Sequence, residues 1–451
     1  MQEIIIRGPL NEEKIKKISE ILNEPDWMTD IRLKGLNYFN KLDLPKFGPE
    51  IKNIDFDNMI YYRSIIKENN PKRWEDLPED IKNKIDKLGL RKEFEREFLS
   101  GLLYQHDSSS VYKEIKKYLD QEGIIFMPLS QAVRDYPEIV KEYFGKVISF
   151  GDNKFAALNT TVWSGGVFIY VPENVKVDFP LQAYFWIGTE NLGQFERTLI
   201  IADKNSRVTY IEGCTAPIYN ISSLHAAVVE VFAKENSEVT YATIQNWSRN
   251  VYNLVTKRAK VHKNAKIKWI SAEFGSKVTM LYPGLVLEEN STGEIYTISI
   301  ANENQIIDTG GRILVNGKNS RGYIVTKSIS INGKAVNRID IKIFGNSENS
   351  KVISKCDSLI EGNGIAESIP RMEIYNNKNY YNHEAKTEKI DDQKVLYLQS
   401  LGIDKKKAKR LIYMGFADDI LKNFPPSYQM RIKKLLEMEL EEIGGFGWLL
   451  K

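Results

Sequence analysis

The sequence is poor in cysteine, has no long apolar run and shows no strong excess of either charge. Two cysteines in 451 residues cannot form a disulfide framework, so we expect a reducing cytoplasm in which both thiols stay free. There is no stretch of about 18 apolar residues that would predict a membrane span, and the start lacks the pattern of a signal peptide. With 63 basic and 60 acidic side chains, the chain is also unlike a dedicated nucleic-acid-binding protein.

Common nucleotide-binding and metalloprotease motifs are absent as well. The sequence has no GxxxxGK(S/T) loop, no glycine-rich turn opening a Rossmann unit and no HExxH. We therefore expect neither nucleotide binding nor nucleotide hydrolysis by this chain on its own.

A repeated turn dominates the middle of the chain. Between residues 155 and 374, short runs rich in Val, Ile, Tyr and Thr follow small polar turns that contain asparagine. These asparagines recur at spacings of 31, 28, 26, 29 and 30 residues; they are Asn205, Asn236, Asn264, Asn290, Asn319 and Asn349. Such a period predicts stacked supersecondary units, and the short strands favour a parallel β-helix over a propeller.

The flanking segments have helical patterns, which divides the chain into three regions. We predict a mostly helical N-terminal region over 1–150, a β-helix core over 151–388 and a C-terminal helical domain over 389–451. Helices are expected over 77–100 and after Asn11, Asp391 and Asp404, because Asn and Asp are favoured N-cap residues. Gly402 is expected just beyond a helix end. The C-terminal helices can cover open strand edges or offer a docking surface.

The first candidate for chemistry is Cys214, in the segment IEGCTAP between a predicted strand and a proline turn. A thiolate is the reactive species in sulfur exchange, so this residue could accept or carry sulfur. The alternative is a buried structural cysteine, and the residues alone favour that alternative.

The second candidate combines Cys356 with His383 and Glu384. Thiolate, imidazole and carboxylate together are a suitable ligand set for iron or zinc. The two segments are 27 residues apart, close to one repeat, so stacked turns would place them side by side. The alternative is an exposed His-Glu pair and an unrelated core thiol. His225, in the apolar run LHAAVVEV, is interpreted as a core histidine.

Several longer segments resemble the SufB family of the SUF iron–sulfur system. They are GDNKFAALN from Gly151 with the VWSGG that follows, GQFERTLIIAD from Gly193, YIEGCTAP from Tyr210, LHAAVVEV from Leu224, CDSLI from Cys356 and NHEAKTEKI from Asn382. The similarity extends over residues 24–440. It implies a mainly β fold, with a right-handed parallel β-helix core, an N-terminal helical (α/β) region and a C-terminal helical domain.

The resemblance also implies a function. The chain would be a scaffold for a transient Fe–S cluster rather than an enzyme with its own turnover. Sulfur would be accepted at Cys214 from a desulfurase or its carrier, and would pass through the core to Cys356. There, Glu384 and His383 would help to hold the nascent cluster.

Three more residues and several partners follow from the same resemblance. Gln245, Trp247 and Lys257 match positions that the family associates with the sulfur path. The partners implied are the SufC ATPase, docked on the C-terminal helices, and either SufD or a second copy of the chain across the β-helix. ATP hydrolysis would then reside in SufC. A flavin is implied for some complexes of the family, although the sequence shows no flavin motif.

Three positions depart from the family pattern. Asn382 stands where many relatives have glutamate, which removes one possible ligand. Trp186 and Gly188 stand where many relatives have arginine and asparagine, which removes two side chains associated with the sulfur path. Sulfur could therefore enter differently, or sulfide could load Cys356 directly.

Three alternatives remain open at this stage. A SufD-like adaptor would organise SufC without carrying a cluster, but it would not need Cys214, Cys356 and the His383-Glu384 pair. A carbohydrate-cleaving β-helix enzyme would need an acidic stripe at the spacing of the turns, which the sequence does not show. A mononuclear zinc site at Cys356 and His383 is a variant of the scaffold hypothesis.

Overall fold

The computed structural model describes residues 3–65, 79, 82–83, 100–106, 108–115, 117–186, 192–215 and 223–439. Within them the chain is mainly β, and a parallel β-solenoid carries helices on its N-terminal and C-terminal sides. This architecture confirms the predicted fold class. Most of the helix predicted over 77–100 lies outside the described residues.

The described strands are β1 (Glu3–Arg7), β2 (Ile60–Ile65), β3 (Gly101–His106), β4 (Ser109–Ile115), β5 (Ile125–Pro128), β6 (Val167–Val171), β7 (Leu181–Trp186), β8 (Arg197–Ala202), β9 (Arg207–Thr215), β10 (Ser223–His225), β11 (Val228–Ala233), β12 (Glu238–Asn246), β13 (Val251–Val261), β14 (Lys266–Phe274), β15 (Val278–Leu281), β16 (Gly284–Leu287), β17 (Thr292–Ala301), β18 (Ile306–Val315), β19 (Arg321–Ile331), β20 (Lys334–Ile343), β21 (Lys351–Glu361), β22 (Ile365–Ile374) and β23 (Tyr380–Lys389). The described helices are α1 (Glu12–Leu22), α2 (Asp26–Lys41), α3 (Lys117–Gln121), α4 (Leu129–Asp135), α5 (Pro137–Tyr143), α6 (Lys154–Val162), α7 (Asp392–Ser400), α8 (Lys405–Leu421) and α9 (Pro426–Glu439).

Two long sheets face each other across the solenoid. One carries both cysteines, and we call it the cysteine sheet; its strand order is β23-β21-β19-β17-β14-β12-β9-β7-β3-β4. The other, the opposite sheet, has the order β22-β20-β18-β15-β13-β11-β8-β6-β5, with β10 and β16 also paired to β13. The chain alternates between the sheets, and successive turns pair in parallel, as β9 does with β12 and β18 with β20.

The repeated asparagines form one corner of the solenoid. All six adopt the left-handed backbone conformation, with φ between 53° and 58°, which asparagine tolerates better than most residues. Their side chains also bond from turn to turn: the Asn236 amide donates to the Asn205 carbonyl at 2.9 Å, and Asn264 donates to Asn236 at 3.0 Å. The spacing read from the sequence is therefore the period of a corner that hydrogen bonds tie together.

The interior of the solenoid divides into an apolar half and a polar half. In β9, Val208 and Tyr210 precede Glu212 and Cys214, and all four side chains are buried on the inner face because alternate residues share a face. The same order, apolar and then polar, recurs in β12 and β14. Buried polar groups are costly unless they find partners, so the polar half requires an explanation beyond packing.

N-terminal helices cover the outer face of the opposite sheet. Leu36 and Leu158, from α2 and α6, share an apolar group with Tyr252 and Leu254 of β13. The predicted boundaries differ from this arrangement in two ways. The range 1–150 contains β1–β5 as well as helices, and α6 lies inside the range predicted as core. The helical pattern extends past residue 150 because α6 belongs to the covering layer.

A buried ion pair fixes this covering layer. Arg197 Nη2 lies 2.6 Å from Glu230 Oε2, and both side chains are only 1% exposed. The Glu230 carboxylate also accepts hydrogen bonds from the backbone N–H groups of Gly145, Val147 and Ile148. The loop before α6 is therefore tied directly to β11.

The C-terminal helices lie on the outer face of the cysteine sheet. Tyr413 and Ile420 of α8 share an apolar group with Ile298 and Ile329, and Lys327 Nζ donates to Asp419 at 2.9 Å. The predicted N-caps Asp391 and Asp404 and the predicted Gly402 beyond a helix end are confirmed. The described helices cover a face of the solenoid rather than its terminal edge, since nearly all of β23 is exposed.

Candidate functional site

Cys214 lies in the polar half of the interior, near the end of β9. Its side chain is 2% exposed, and its Sγ lies 3.7 Å from Glu212 Oε1. Burial raises the pKa of the Cys214 thiol well above its ordinary value, and the neighbouring Glu212 and Glu196 carboxylates raise it further. A free thiol at this position is therefore protonated at neutral pH until a base, a cation or a reaction partner removes the proton.

The structure brings the three predicted sulfur-path residues to Cys214. Gln245 lies directly opposite Cys214 on the adjacent strand β12. Trp247 Nε1 donates to Gln245 Oε1 at 2.8 Å, and Lys257 Nζ lies 4.0 Å from Glu212 Oε1. All three side chains are buried. They converge because β12 and β13 form successive walls of one turn.

Several polar neighbours of Cys214 were not predicted from the sequence. One carboxylate oxygen of Glu196, Cys214 Sγ and one ring nitrogen of His225 all lie within 4.8 Å of one another. His225 is buried, as predicted for a core histidine, but its Nδ1 is 2.7 Å from Asn253 Oδ1. Because alternate residues of a strand share a face, Glu212, two residues before Cys214, could have been predicted as a neighbour. Glu196 and His225 come close to Cys214 only through the tertiary fold.

The electrostatics of this group are unusual for a protein interior. Burial alone would lower the pKa of His225, but the nearby Glu196 carboxylate and the Asn253 hydrogen bond raise it overall. Burial raises the pKa of Glu273 to about 8, against the opposing effect of Lys257. Perturbed ionisable groups gathered around one thiol are typical of functional sites.

Two columns of buried polar side chains run through the cysteine sheet from Cys214 towards Cys356. The first is set by strand register and contains Cys214, Gln245, Glu273, Ser299, Ser328 and Ser358. The second, two residues earlier in each strand, contains Glu212, Thr243, Ser271, Thr297, Thr326 and Cys356. Each of these side chains is less than 5% exposed. We call the two columns together the polar track.

Hydrogen bonds link members of the polar track to one another and across the interior. Ser271 Oγ donates to Thr297 Oγ1 at 3.1 Å, and the Ser328 and Ser358 hydroxyls are 2.9 Å apart. Asn337 of the opposite sheet donates to both of these serines, at 3.1 and 3.0 Å. The track is therefore a lining of polar side chains between the two cysteines, and hydrogen bonds connect some of its members.

The second predicted group is only partly assembled. Cys356 pairs with Ala385 on β23, so His383 is a diagonal neighbour on the same face. Ser354, opposite His383, has its hydroxyl 2.9 Å from His383 Nδ1. Glu384 is the next residue along the strand, so its side chain points to the opposite face of the sheet, where its Oε2 lies 3.2 Å from Lys355 Nζ. The strands are adjacent, as predicted, but Glu384 points to the other face of the sheet from Cys356.

The two departures from the family pattern that the structure describes, Trp186 and Asn382, lie outside the polar track. Trp186 follows the inward-facing Phe185, so its side chain lies on the outer face of β7. Gly188 lies outside the described residues. Asn382 has the parity of Glu384 and is exposed. The described residues of the track therefore do not include any of these positions.

Comparison with known proteins identifies the family. A profile described as the SUF system FeS cluster assembly, SufBD core domain, matches residues 185–416, and one described as the SufBD protein N-terminal region matches residues 99–183. An iron–sulfur cluster assembly SufBD family protein of Staphylococcus haemolyticus is 44% identical over 435 residues, covering 96% of this chain and 93% of the relative. The chain belongs to the SufBD family. Relatives with the same description from Staphylococcus epidermidis and Staphylococcus aureus are 44% and 43% identical over the same coverage.

Membership of the SufBD family assigns the chain to iron–sulfur cluster assembly in the SUF system. The core profile spans the strands from the end of β7 through β23 and most of α8, so it includes both cysteines and the whole polar track between them. The family covers SufB and SufD alike, and the site residues bear on that distinction. Among the described helices, none is long and apolar enough to cross a membrane.

Proposed function

We propose that this SufBD family member is the SufB-type scaffold on which sulfur and iron are assembled into a cluster. The observation that carries the proposal is the polar track, which joins the buried thiols of Cys214 and Cys356 through one solenoid interior. A purely structural solenoid gains nothing from lining half of its interior with hydroxyls and carboxyls, because these groups cost free energy to bury. The reducing cytoplasm suits this role because both thiols stay free.

Sulfur is accepted at Cys214 by thiol–persulfide exchange. The Cys214 thiolate attacks the terminal sulfur of a donor persulfide, the donor S–S bond breaks, and the donor leaves as a thiolate. Cys214 becomes the persulfide, and no net oxidation or reduction occurs. The carboxylate of Glu212, whose Oε1 lies 3.7 Å from Cys214 Sγ, is placed to take the thiol proton.

Sulfur leaves Cys214 as sulfide and moves along the polar track. The chain has only two cysteines, so no third thiol can relay a persulfide between them. Two electrons from an external dithiol or a reduced flavin convert the Cys214 persulfide to thiol and sulfide. The hydroxyls of the track then provide hydrogen-bond donors along the way to Cys356, the last member of the second column.

Cys356 and His383 hold iron at the far end of the track. They share a face, and the Ser354 contact engages His383 Nδ1, which leaves Nε2 directed to a ligand. Iron and cluster here are cargo rather than a resident cofactor. Glu384 faces outwards, so it joins this site only when the exposed strand β23 changes its pairing or conformation.

A partner chain covers that exposed end of the solenoid. The terminal strands β22 and β23 expose Ile365, Tyr380 and Tyr381 at 50%, 55% and 50%. A strand with an open edge and apolar side chains favours pairing with another chain. We assign this surface to SufD or to a second copy of this chain, which would place the Cys356 site at an interface.

SufC docks on helix α7, and ATP hydrolysis belongs to that partner. Leu396, Tyr397 and Leu401 are 64%, 66% and 62% exposed and lie within or next to α7, whereas α8 and α9 bury their apolar faces on the cysteine sheet. Leu396→Asp should abolish capture of SufC. Met430→Asp, at a still more exposed position on α9, should leave capture unchanged.

Anaerobic reconstitution tests the scaffold assignment. With iron and sulfide, wild type and Cys214→Ala should both form a cluster by absorbance and Mössbauer spectra, and Cys356→Ala should not. With iron and a persulfide donor plus dithiol, wild type should form the cluster faster than Cys214→Ala, which receives only the sulfide that the dithiol releases in solution. A wild-type protein that binds SufC but forms no cluster from either source would favour the SufD-like adaptor instead.

A further inference from the structure

A second group of metal-ligand atoms lies inside the solenoid, far from the Cys356 end. Glu196, Cys214 and His225 come from the segment before β8, from β9 and from β10, and the fold brings their ligand atoms within 4.8 Å of one another. All three side chains are at most 3% exposed. Thiolate, imidazole and carboxylate at this spacing can bind one ion of the iron–zinc class.

The hydrogen bonds of His225 orient it as a metal ligand. The Asn253 amide nitrogen points to Glu273 Oε2 and Thr279 Oγ1, each at 3.3 Å, so its carbonyl oxygen faces His225 Nδ1 at 2.7 Å. Nδ1 therefore carries a proton and donates it to Asn253. A second hydrogen bond of this kind is the usual support of a histidine that binds metal through its other nitrogen.

The remaining nitrogen faces a carboxylate. His225 Nε2 lies 3.1 Å from Glu196 Oε2 and 3.2 Å from Oε1. With Nδ1 protonated, the Nε2 lone pair of a neutral imidazole points at negatively polarised oxygen, so a positive charge must lie between them. Either a proton or a metal ion meets this requirement, and the adjacent thiol supplies a further ligand for a metal.

An unpartnered buried oxygen supports the second possibility. Glu273 Oε1 makes no hydrogen bond within the part of the chain that the structure describes, although its side chain is buried. Glu212 adds a third carboxyl, with Oε1 3.7 Å from Cys214 Sγ. Lys257 is the one lysine in this group, and its Nζ is 4.0 Å from Glu212. The group therefore holds three carboxyls, those of Glu196, Glu212 and Glu273, against one lysine.

We propose that Glu196, Cys214 and His225 bind one divalent ion of the iron–zinc class inside the solenoid, with Glu212 beside the open coordination position. Binding releases the thiol proton and the proton between His225 and Glu196, so two protons leave for one divalent ion and no oxidant or reductant is needed. The residue that accepts sulfur is then also a metal ligand. This site is independent of the proposed cluster site at Cys356.

Cobalt(II) provides a direct test, because a cobalt–thiolate bond gives an intense near-ultraviolet charge-transfer band. The chain has only two cysteines, so two variants assign the band. We expect anaerobic Cys356→Ser, in which Cys214 is the remaining thiol, to show the band, and the double variant Cys214→Ser/Cys356→Ser to lose it. Metal analysis after gel filtration should show one ion fewer in the double variant than in Cys356→Ser.

Two further variants test the other ligands and guard against misfolding. Glu196→Gln should weaken cobalt affinity at least tenfold, and Asn253→Ala should weaken it by about 10- to 100-fold, as for other second hydrogen bonds to metal-bound histidines. His262→Ala is the matched control, since His262 Nδ1 also lies 3.0 Å from a carboxylate, that of Glu288, with no thiol in its group. It should leave cobalt binding unchanged.

The proposal is wrong if folded Cys356→Ser shows no band, or if the double variant Cys214→Ser/Cys356→Ser keeps it. It is also wrong if folded Glu196→Gln binds cobalt as tightly as wild type. Circular dichroism on each variant establishes that it is folded. Failure of cluster formation at Cys356 would be read from the Cys356 variants and would leave the Cys214 result intact.

Discussion

Cys214 and Cys356 face the same interior surface of the cysteine sheet, on β9 and β21, with β12, β14, β17 and β19 between them. Five strand steps of about 4.8 Å place them about 24 Å apart along the sheet. Cys356 is also displaced by two residues along the strand, because Cys214 is in register with Ser358. The separation excludes direct exchange of sulfur between the two thiols in this conformation, and it makes the polar track essential to the proposed function.

Removing one hydroxyl from the polar track should slow sulfur transfer without preventing sulfur acceptance. Thr297 is 1% exposed and accepts a hydrogen bond from Ser271 at 3.1 Å. Thr297→Val keeps the shape of the side chain but removes the hydroxyl. We expect label from a ³⁵S persulfide to load Cys214 normally and to reach Cys356 about tenfold more slowly, equivalent to about 1.4 kcal/mol in the barrier.

Thr292→Val is the matched control for this prediction. Thr292 lies on the same strand, β17, but on the outer face, where it is only partly buried. Its transfer rate should equal that of wild type. Equal rates in both valine variants would show that sulfur does not follow the track.

The ion pair between Arg197 and Glu230 should be a large contributor to stability. Arg197→Ala would leave the Glu230 carboxylate buried without its cation, and breaking a buried pair in this way typically costs about 3–5 kcal/mol. Urea denaturation should show that loss. Arg207→Ala, which removes an exposed partner of Asp178 at 3.6 Å, should cost less than about 1 kcal/mol. A small loss for Arg197→Ala would mean that water or other groups replace the guanidinium.

Glu273 should make the protein less stable as the pH rises. Its pKa is about 8 in the folded protein, because burial favours the neutral acid, against 4.5 in an ordinary setting. Below about pH 4.5 both states hold the proton; between 4.5 and 8 only the folded state holds it, so this stabilising contribution is progressively lost.

Glu273→Gln should remove that dependence. The free energy of unfolding of the variant, relative to that of wild type, should increase as the pH rises from 5 to 8, by up to about 1.4 kcal/mol per pH unit. Denaturation curves at several pH values measure the difference, and Glu303→Gln at an exposed turn controls for the loss of one negative charge. A constant difference between Glu273→Gln and wild type would contradict a raised pKa.

The thiol of Cys356 should react slowly with alkylating agents near neutral pH. Burial raises its pKa to about 11, with Thr326 opposing the shift and Asp357 adding to it. Compared with an ordinary thiol of pKa 9.0, this leaves about a hundredfold less thiolate at pH 8. In Cys214→Ser, where Cys356 is the remaining thiol, the iodoacetamide rate should rise tenfold per pH unit from pH 7 to 10.

The pH profile separates this effect from steric protection. Restricted access alone would lower the rate at every pH, but the rate would still level off as the pH rises above the ordinary thiol pKa of 9.0. Protein unfolded in urea gives the reference profile. The same levelling off in the folded protein would show that the thiol is hidden but not electrostatically perturbed.

Local signals in the sequence were sufficient for the solenoid and its helix ends. The period of the solenoid could be read from its corner asparagines, such as Asn205, Asn236 and Asn264. Each corner needs a residue that tolerates positive φ, and this requirement depends only on the residue at that position. Asp391 and Asp404 gave helix starts for the same reason, since an N-cap depends on residues two or three positions away. The position of α8 and α9 on a face of the solenoid was not predictable in this way, because many exposed sheet surfaces could accept an amphipathic helix.

The two candidate sites show which side-chain contacts could not be predicted from the sequence. Resemblance to a family supplied Cys214, Cys356 and the path residues, and repeat spacing placed β21 beside β23. The repeat spacing gives the number of residues between two strands but not which face of the sheet each side chain points to. It therefore did not show that Glu384 faces away from Cys356. The polar track needed the register of five strand pairings, each set by the lengths of the intervening turns.

The sequence by itself therefore determined the repeat, the helix caps and the identity of the two thiols, all of which depend on residues near one another in the chain. Tertiary structure decided which side chains meet. Glu196 and His225 are 18 and 11 residues from Cys214 on either side, yet all three converge because consecutive strands alternate between sheets and face one interior. Contacts across a solenoid depend on strand register, inward or outward parity and the gap between the sheets, and only the folded chain sets all three together.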